Sequence, residues 1–172
     1  MPVIDDVDKY RTLLAESPFF ADFASEELET LIGACTRKVL APREALWAVG
    51  APGEAAYFLI EGRLEKSVRL PPDNQRSQQI EQPGAMIALS HLVKRWEHES
   101  MATALERTVL LELRQESFKE LFDNQEVAAY RLVDRLAESL VREMRDANRR
   151  LHEVFGNPAE TLRTLRRRVR KT

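Results

Sequence analysis

Apolar positions recur along this chain at two periods, and the change of period divides it. Val7, Tyr10, Leu13 and Leu14 fall at helical spacing and predict a helix over residues 6–16. Pro18 ends it, because the residue before a proline avoids the helical region. In "FASEELETLIGAC" the helical period resumes with Leu28, Leu31 and Ile32. Ser25 is the expected cap there, and Glu26 and Glu27 suit the positive helix end. From Arg37 to Leu113 the pattern shortens. The runs "RKVL", "EALWAV", "AAYFLI", "RLEKSVRL", "MATAL" and "TVLLEL" are separated by Pro42, Gly50, Pro52-Gly53, Gly62 and Pro83-Gly84. Short runs with turn residues between them predict an antiparallel sandwich or barrel. "RLPPDNQRS" reads as a polar hairpin tip.

Helix returns at "QESFKELFDN" and then persists from Gln125 to Phe155 without Gly or Pro. Gly156 suits the position after a helix end and Pro158 bars continuation. At about 1.5 Å per residue this helix is about 45 Å long. Its apolar line runs through Val133, Leu136, Leu140, Met144 and Leu151, while the other faces are dense in charge. A body of this size covers only the first part of such a helix. A second copy, paired as a parallel coiled coil, covers the rest, and Asn148 near the seam can set the register. The expected organisation is a β-roll with N-terminal helices over 1–124, a dimerisation helix over 125–156 and a tail over 157–172. The fold class is α+β, an antiparallel, jelly-roll-like β-roll.

Charge changes the picture at one end. The chain as a whole carries −2, but residues 157–172 hold Arg163, Arg166, Arg167, Arg168, Arg170 and Lys171 against Glu160 alone. That tail is therefore +5 and the rest −7. Leu162, Leu165 and Val169 lie among the arginines at helical spacing, a basic amphipathic pattern suited to a protein partner, an anionic membrane or nucleic acid. No apolar run reaches the roughly 20 residues of a membrane helix. The acidic N-terminus has no signal-peptide pattern, so a cytoplasmic location is expected. Cys35 is the only cysteine, which excludes an internal disulfide and a multi-cysteine zinc site. His91, His98 and His152 show no metal spacing and no phosphate-binding P-loop occurs, so no metal site and no enzyme activity are expected.

The stretch "LLAESPFFADFASEELETLIGACTRKVLAPREALWAVGAPGEAAYFLIEGRLEKS" resembles the start of a cyclic-nucleotide-binding domain of the catabolite-activator type. "PGAMIALSHL" resembles its phosphate-binding turn, and "ATALERTVLLELRQESFKEL" the close of its roll. The resemblance covers roughly Leu13 to Phe155. It implies a regulatory, non-enzymatic homodimer joined through the long helix. In the family a glycine and a glutamate hold the turn and the ribose, and an arginine about ten residues later pairs with the cyclic phosphate, beside a small hydroxyl residue. Carried onto this chain, Gly84 opens the turn, and the glycine–glutamate pair becomes Ala88 and Leu89, with Ser90 following. The arginine becomes His98, or Glu99 in a register shifted by one, and its neighbour becomes Glu99 or Ser100. Neither register supplies an arginine, and Arg95 lies nearby in "KRWEH".

These departures disfavour cyclic AMP and cyclic GMP, since a lost charge-assisted contact alone costs about 1.5–3 kcal/mol. Read on its own, His98 is a half-exposed strand histidine that holds an anion only when protonated. Met86, Leu89 and Met101 are the side chains expected to fill the vacated pocket. No cofactor is expected. Two other readings stay open: a nucleotide sensor for a cyclic mono- or dinucleotide with atypical contacts, and a nucleic-acid-binding dimer using its basic tails. Transcription regulators of this family continue into a helix-turn-helix domain, for which about sixteen residues are too few.

Overall fold

A computed structural model describes residues 6–70 and 74–156. Helix α1 (Val7–Ala15) buries Tyr10 and Leu14, and a 3-10 turn at Pro18–Phe20 follows it. Helix α2 (Ser25–Gly33) buries Leu28, Leu31 and Ile32. Ser25 is not its cap: the helix starts at Ser25, and Ala24 holds the cap position. The Ala24 N–H donates to Glu27 Oε2 at 2.9 Å, so the glutamate three residues on supplies what the serine was expected to.

Among the described residues eight strands form the body: β1 (Thr36–Leu40), β2 (Ala45–Trp47), β3 (Ala55–Glu61), β4 (Leu64–Leu70), β5 (Asn74–Ile80), β6 (Met86–Ile87), β7 (Met101–Ala104) and β8 (Thr108–Arg114). They make two antiparallel four-stranded sheets, ordered β1-β8-β3-β6 and β2-β7-β4-β5. Period-2 alternation decides the cores. On β3, Ala56, Phe58 and Ile60 face the helices, while Ala55, Tyr57 and Leu59 face the other sheet. On β8, Val109, Leu111 and Leu113 join the helical core and Leu110 the core between sheets. Phe20 is fully enclosed in the first core, with ring contacts to Phe19, Phe23 and Phe58.

The stretch expected as a hairpin tip is mostly strand. Asn74–Ile80 pairs with Leu64–Leu70 as an edge strand whose described side chains are exposed up to Ile80. An all-polar edge has no buried face, and so no alternation to betray it.

Helix α3 (Gln115–Asp123) buries Phe118, and helix α4 (Val127–Phe155) follows. The chain divides into two compact units between Val133 and Asp134. In the first, Ala128, Ala129 and Leu132 are buried in the helical core, and Arg131 pairs with Glu27 at 2.6 Å. In the second, Leu140, Met144 and Leu151 are 47%, 66% and 53% exposed. Gly156, with φ of 51°, donates its N–H to the His152 carbonyl at 2.9 Å. The basic tail, Arg163 to Lys171, lies outside the described residues. No described helix is long and apolar enough to cross a membrane.

Candidate functional site

Between β6 and β7 the chain makes a short 3-10 turn, Leu89–Leu92, and then runs back along residues 50–53. The Gly50 N–H donates to the His98 carbonyl at 2.8 Å, the His98 N–H to Ala51 at 2.9 Å, and the Gly53 N–H to Trp96 at 2.7 Å. These bonds fix His98 opposite Trp47, and a pocket of about 790 Å³ opens beside them.

Three rings stack on one wall. The His98 imidazole lies 4.2 Å from the Trp47 ring at an interplanar angle of 9°, and 4.4 Å from His91 at 33°. All three residues are buried: His98 is 6% exposed, Trp47 6% and His91 9%. His98 is therefore neither on a strand nor half-exposed. Burial first, then the neighbouring His91 and Lys66, push its pKa down to about 4, which keeps it neutral. At neutral pH it therefore offers an anion no positive charge.

His91 Nδ1 lies 3.2 Å from the Ala88 carbonyl. A carbonyl only accepts, so Nδ1 is the donor in this contact. His91 Nε2 and the indole Nε1 of Trp47 are buried with no hydrogen-bond partner among the described residues. Each such group costs about 1–3 kcal/mol. Gly53 makes the arrangement feasible: a Cβ there would stand 1.7 Å from His91 Cδ2.

The turn residues separate into two groups. Ala88 lies on the pocket with φ of 61° and ψ of 32°, a left-handed conformation that glycine adopts without strain. Ser90, His98, Glu99 and Ser100 also line the pocket, Ser100 buried and Glu99 exposed. Gly84 and Leu89 do not line it. Gly84, at φ of 75°, packs against Ser17, whose hydroxyl donates to the Gly84 carbonyl at 3.2 Å. Leu89 and Met86 pack on the helical core, and Met101 is exposed, so none of the three fills the pocket. Physically, a strand or turn residue faces the pocket or the core but not both, and apolar side chains here take the core.

Arg95 is on the rim, engaged elsewhere. It pairs with Glu116, donates from Nε to Gln115 Oε1 at 2.9 Å, and lies 3.8 Å from Glu54. Trp47, His91 and Lys66 were missed by sequence reasoning. The resemblance covers the stretches that hold all three, but it carries ligand positions over only from the turn to the segment around His98, and these three residues are not among them. Among the described residues no group of three or more His, Cys, Asp or Glu is placed to hold a metal ion. Cys35 is buried, its thiol donates to the Leu31 carbonyl at 3.2 Å, and burial raises its pKa, which makes it an inert core residue.

The fold matches solved structures. The catabolite activator protein of Thermus thermophilus superposes with a TM-score of 0.71 at 24% identity, over 80% of this chain and 63% of that one. The chain thus spans less than two thirds of the Thermus protein. The N-terminal domain of a transcriptional regulator from Streptomyces coelicolor gives 0.68 at 24% identity, over 78% of this chain and 94% of that domain. A cyclic nucleotide-binding domain from Methylobacillus flagellatus gives 0.70 at 17%, over 84% and 82%. A search of curated protein sequences finds no match. The family model described as the cyclic nucleotide-binding domain matches residues 37–125, more than half of the chain and the whole of the pocket. With the two sheets, the turn after β6 and the pocket in their places, the chain belongs to the cyclic nucleotide-binding domain family.

Proposed function

We propose that this chain is a non-enzymatic regulatory module that does not take cyclic AMP or cyclic GMP through the usual phosphate contacts. It acts as a cytoplasmic homodimer joined along α4, signals through protein contacts and needs no cofactor. The observation that carries this reading is His98. It occupies the place that the resemblance gives to an arginine, yet it is buried, neutral and stacked between Trp47 and His91. Its inward position supports the register that aligns His98, and not Glu99, with the arginine. Leu89, where a glutamate would bind ribose, packs on the helical core. The pocket keeps Lys66, but Glu97 and Glu99 stand on the same rim. A cyclic phosphate therefore meets two carboxylates, and the one guanidinium among the described lining residues, Arg95, is engaged by Gln115, Glu54 and Glu116.

Thermal unfolding with cyclic AMP and cyclic GMP tests the reading. A ligand at 100 times its Kd would add about 2.7 kcal/mol. Neither nucleotide should move the melting temperature. A clear rise at sub-millimolar cyclic AMP overturns the reading in favour of a nucleotide sensor.

A further inference from the structure

Another hollow, a groove of about 690 Å³, lies between the Leu89–Leu92 turn, helix α3 and the first turns of α4, and shares only Arg95 with the pocket described above. Its lining is apolar. Leu92 and Phe118 are buried, Val133 is half-buried, and Val93 and Phe122 are exposed. Exposed Tyr130 continues the surface, its ring 4.9 Å from that of Phe122. Neither Val93 nor Phe122 belongs to a buried core, so this apolar surface meets water unless something covers it.

The groove narrows what that cover is. Strand addition needs an open sheet edge, and no strand residue lines it. Small ligands are oriented by convergent polar groups, yet among the described residues no buried polar atom of the lining lacks a partner. Charge selects further. Glu116, Glu120 and Asp123 recur at i, i+4 and i+7, a row of carboxylates along one side of α3. The cations of the lining are held already: Arg95 by Gln115, Glu54 and Glu116, and Lys119 by Asp123. Lys94 lies over the Trp96 ring, 4.3 Å from its centroid. An anionic guest therefore meets carboxylates, whereas a cationic one meets a complementary rim. The nine residues of α3 rise about 13 Å, room for roughly two and a half turns of a docked helix.

We propose that this groove docks a basic amphipathic helix of a partner protein. Its apolar side chains, one turn apart, sit on Val93, Phe122 and Val133, and its lysines or arginines face Glu116, Glu120 and Asp123. The inference rests on the reading that the chain signals through protein contacts, and supplies the surface.

The test is fluorescence anisotropy of the full chain with a labelled peptide of about 15 residues, leucine at the helical apolar positions and lysine elsewhere, and with its leucine–glutamate counterpart. The basic peptide should bind with a Kd below about 100 μM, and the acidic one at least about tenfold more weakly. Phe122→Ser should weaken the basic peptide about tenfold, and should fold, since Phe122 lies outside the buried cores. Glu120→Lys with Asp123→Lys should abolish the preference for the basic peptide. Both side chains are exposed, and this variant decides if Phe122→Ser does not fold. Binding indifferent to both variants overturns the proposal. Failure of the basic peptide to bind at about 1 mM overturns it and leaves the regulatory reading intact, whereas stabilisation by cyclic AMP overturns that reading. Tightening of about tenfold on deletion of residues 157–172 would mean that the chain's own basic tail fills the groove. A monomer in light scattering for Phe122→Ser, beside a wild-type dimer, would mean that a second copy does. Either result overturns the proposal.

Discussion

A Cβ added to Gly53 would stand 1.7 Å from His91 Cδ2 and 2.3 Å from Nε2, so Gly53→Ala forces the imidazole out of its place. Overpacking of this kind costs about 1–3 kcal/mol. Chemical denaturation should show that loss in Gly53→Ala, and much less of it when His91→Ala is present too. Equal losses in both backgrounds would show that the contact with His91 is not the cause. His98 gives a second prediction, on pH. Its proton leaves at about 4 in the folded chain, against an ordinary value of 6.5. Between those values the unfolded chain holds more protons, so stability falls as pH drops from 6.5 toward 4 and is unaffected by this group above 6.5. His91, Lys66, Glu97 and Glu99 share the pocket, so the comparison must be with a variant and not with theory. His98→Phe keeps a ring in the stack and removes the titration. Its melting temperature should decline less than the wild type's over that window, and parallel declines would refute the assignment.

At the scale of elements, the runs with a buried face were legible. "AAYFLI" became β3 and "TVLLEL" most of β8, because alternate residues feed two cores and leave a dense apolar signature. The two-residue β6 and the polar β5 were not, since neither carries a period of its own. The site was legible only on one side. The turn could be aligned, but the stack joins residues 47, 91 and 98, and no local spacing announces a contact between a strand, a turn and a loop far apart in the chain. Helix α4 was legible throughout, and its exposed line gives a prediction. Leu140, Met144 and Leu151 recur at spacings of four and seven, and single-sided apolar lines on charged helices seek a partner. Light scattering should give about twice the monomer mass. Leu140→Glu with Met144→Glu should give a folded monomer, as neither side chain belongs to the buried cores. A wild-type monomer at micromolar concentration would remove the case for the dimer.

For the whole molecule the uneven charge is the dominant long-range feature. Residues 157–172 carry +5 and the remainder −7, within a net charge of −2. Such a tail is drawn to acidic surfaces over about a Debye length, roughly 8 Å at physiological salt. We expect it to contribute to contact with a partner and little to folding, since among the described residues the buried core side chains run from Tyr10 to Leu132. Exposed ion pairs contribute about 0–1 kcal/mol each. Deleting residues 157–172 should therefore leave the melting temperature nearly unchanged. The same deletion should abolish whatever binding the full chain shows to a protein partner, an anionic vesicle or nucleic acid, and that binding should weaken as salt is raised. A steep salt dependence with DNA or RNA, at about one counterion per phosphate contact, would favour the nucleic-acid reading over a protein partner. If the deletion lowers the melting temperature sharply, Leu162, Leu165 and Val169 belong to a core and the tail is structural.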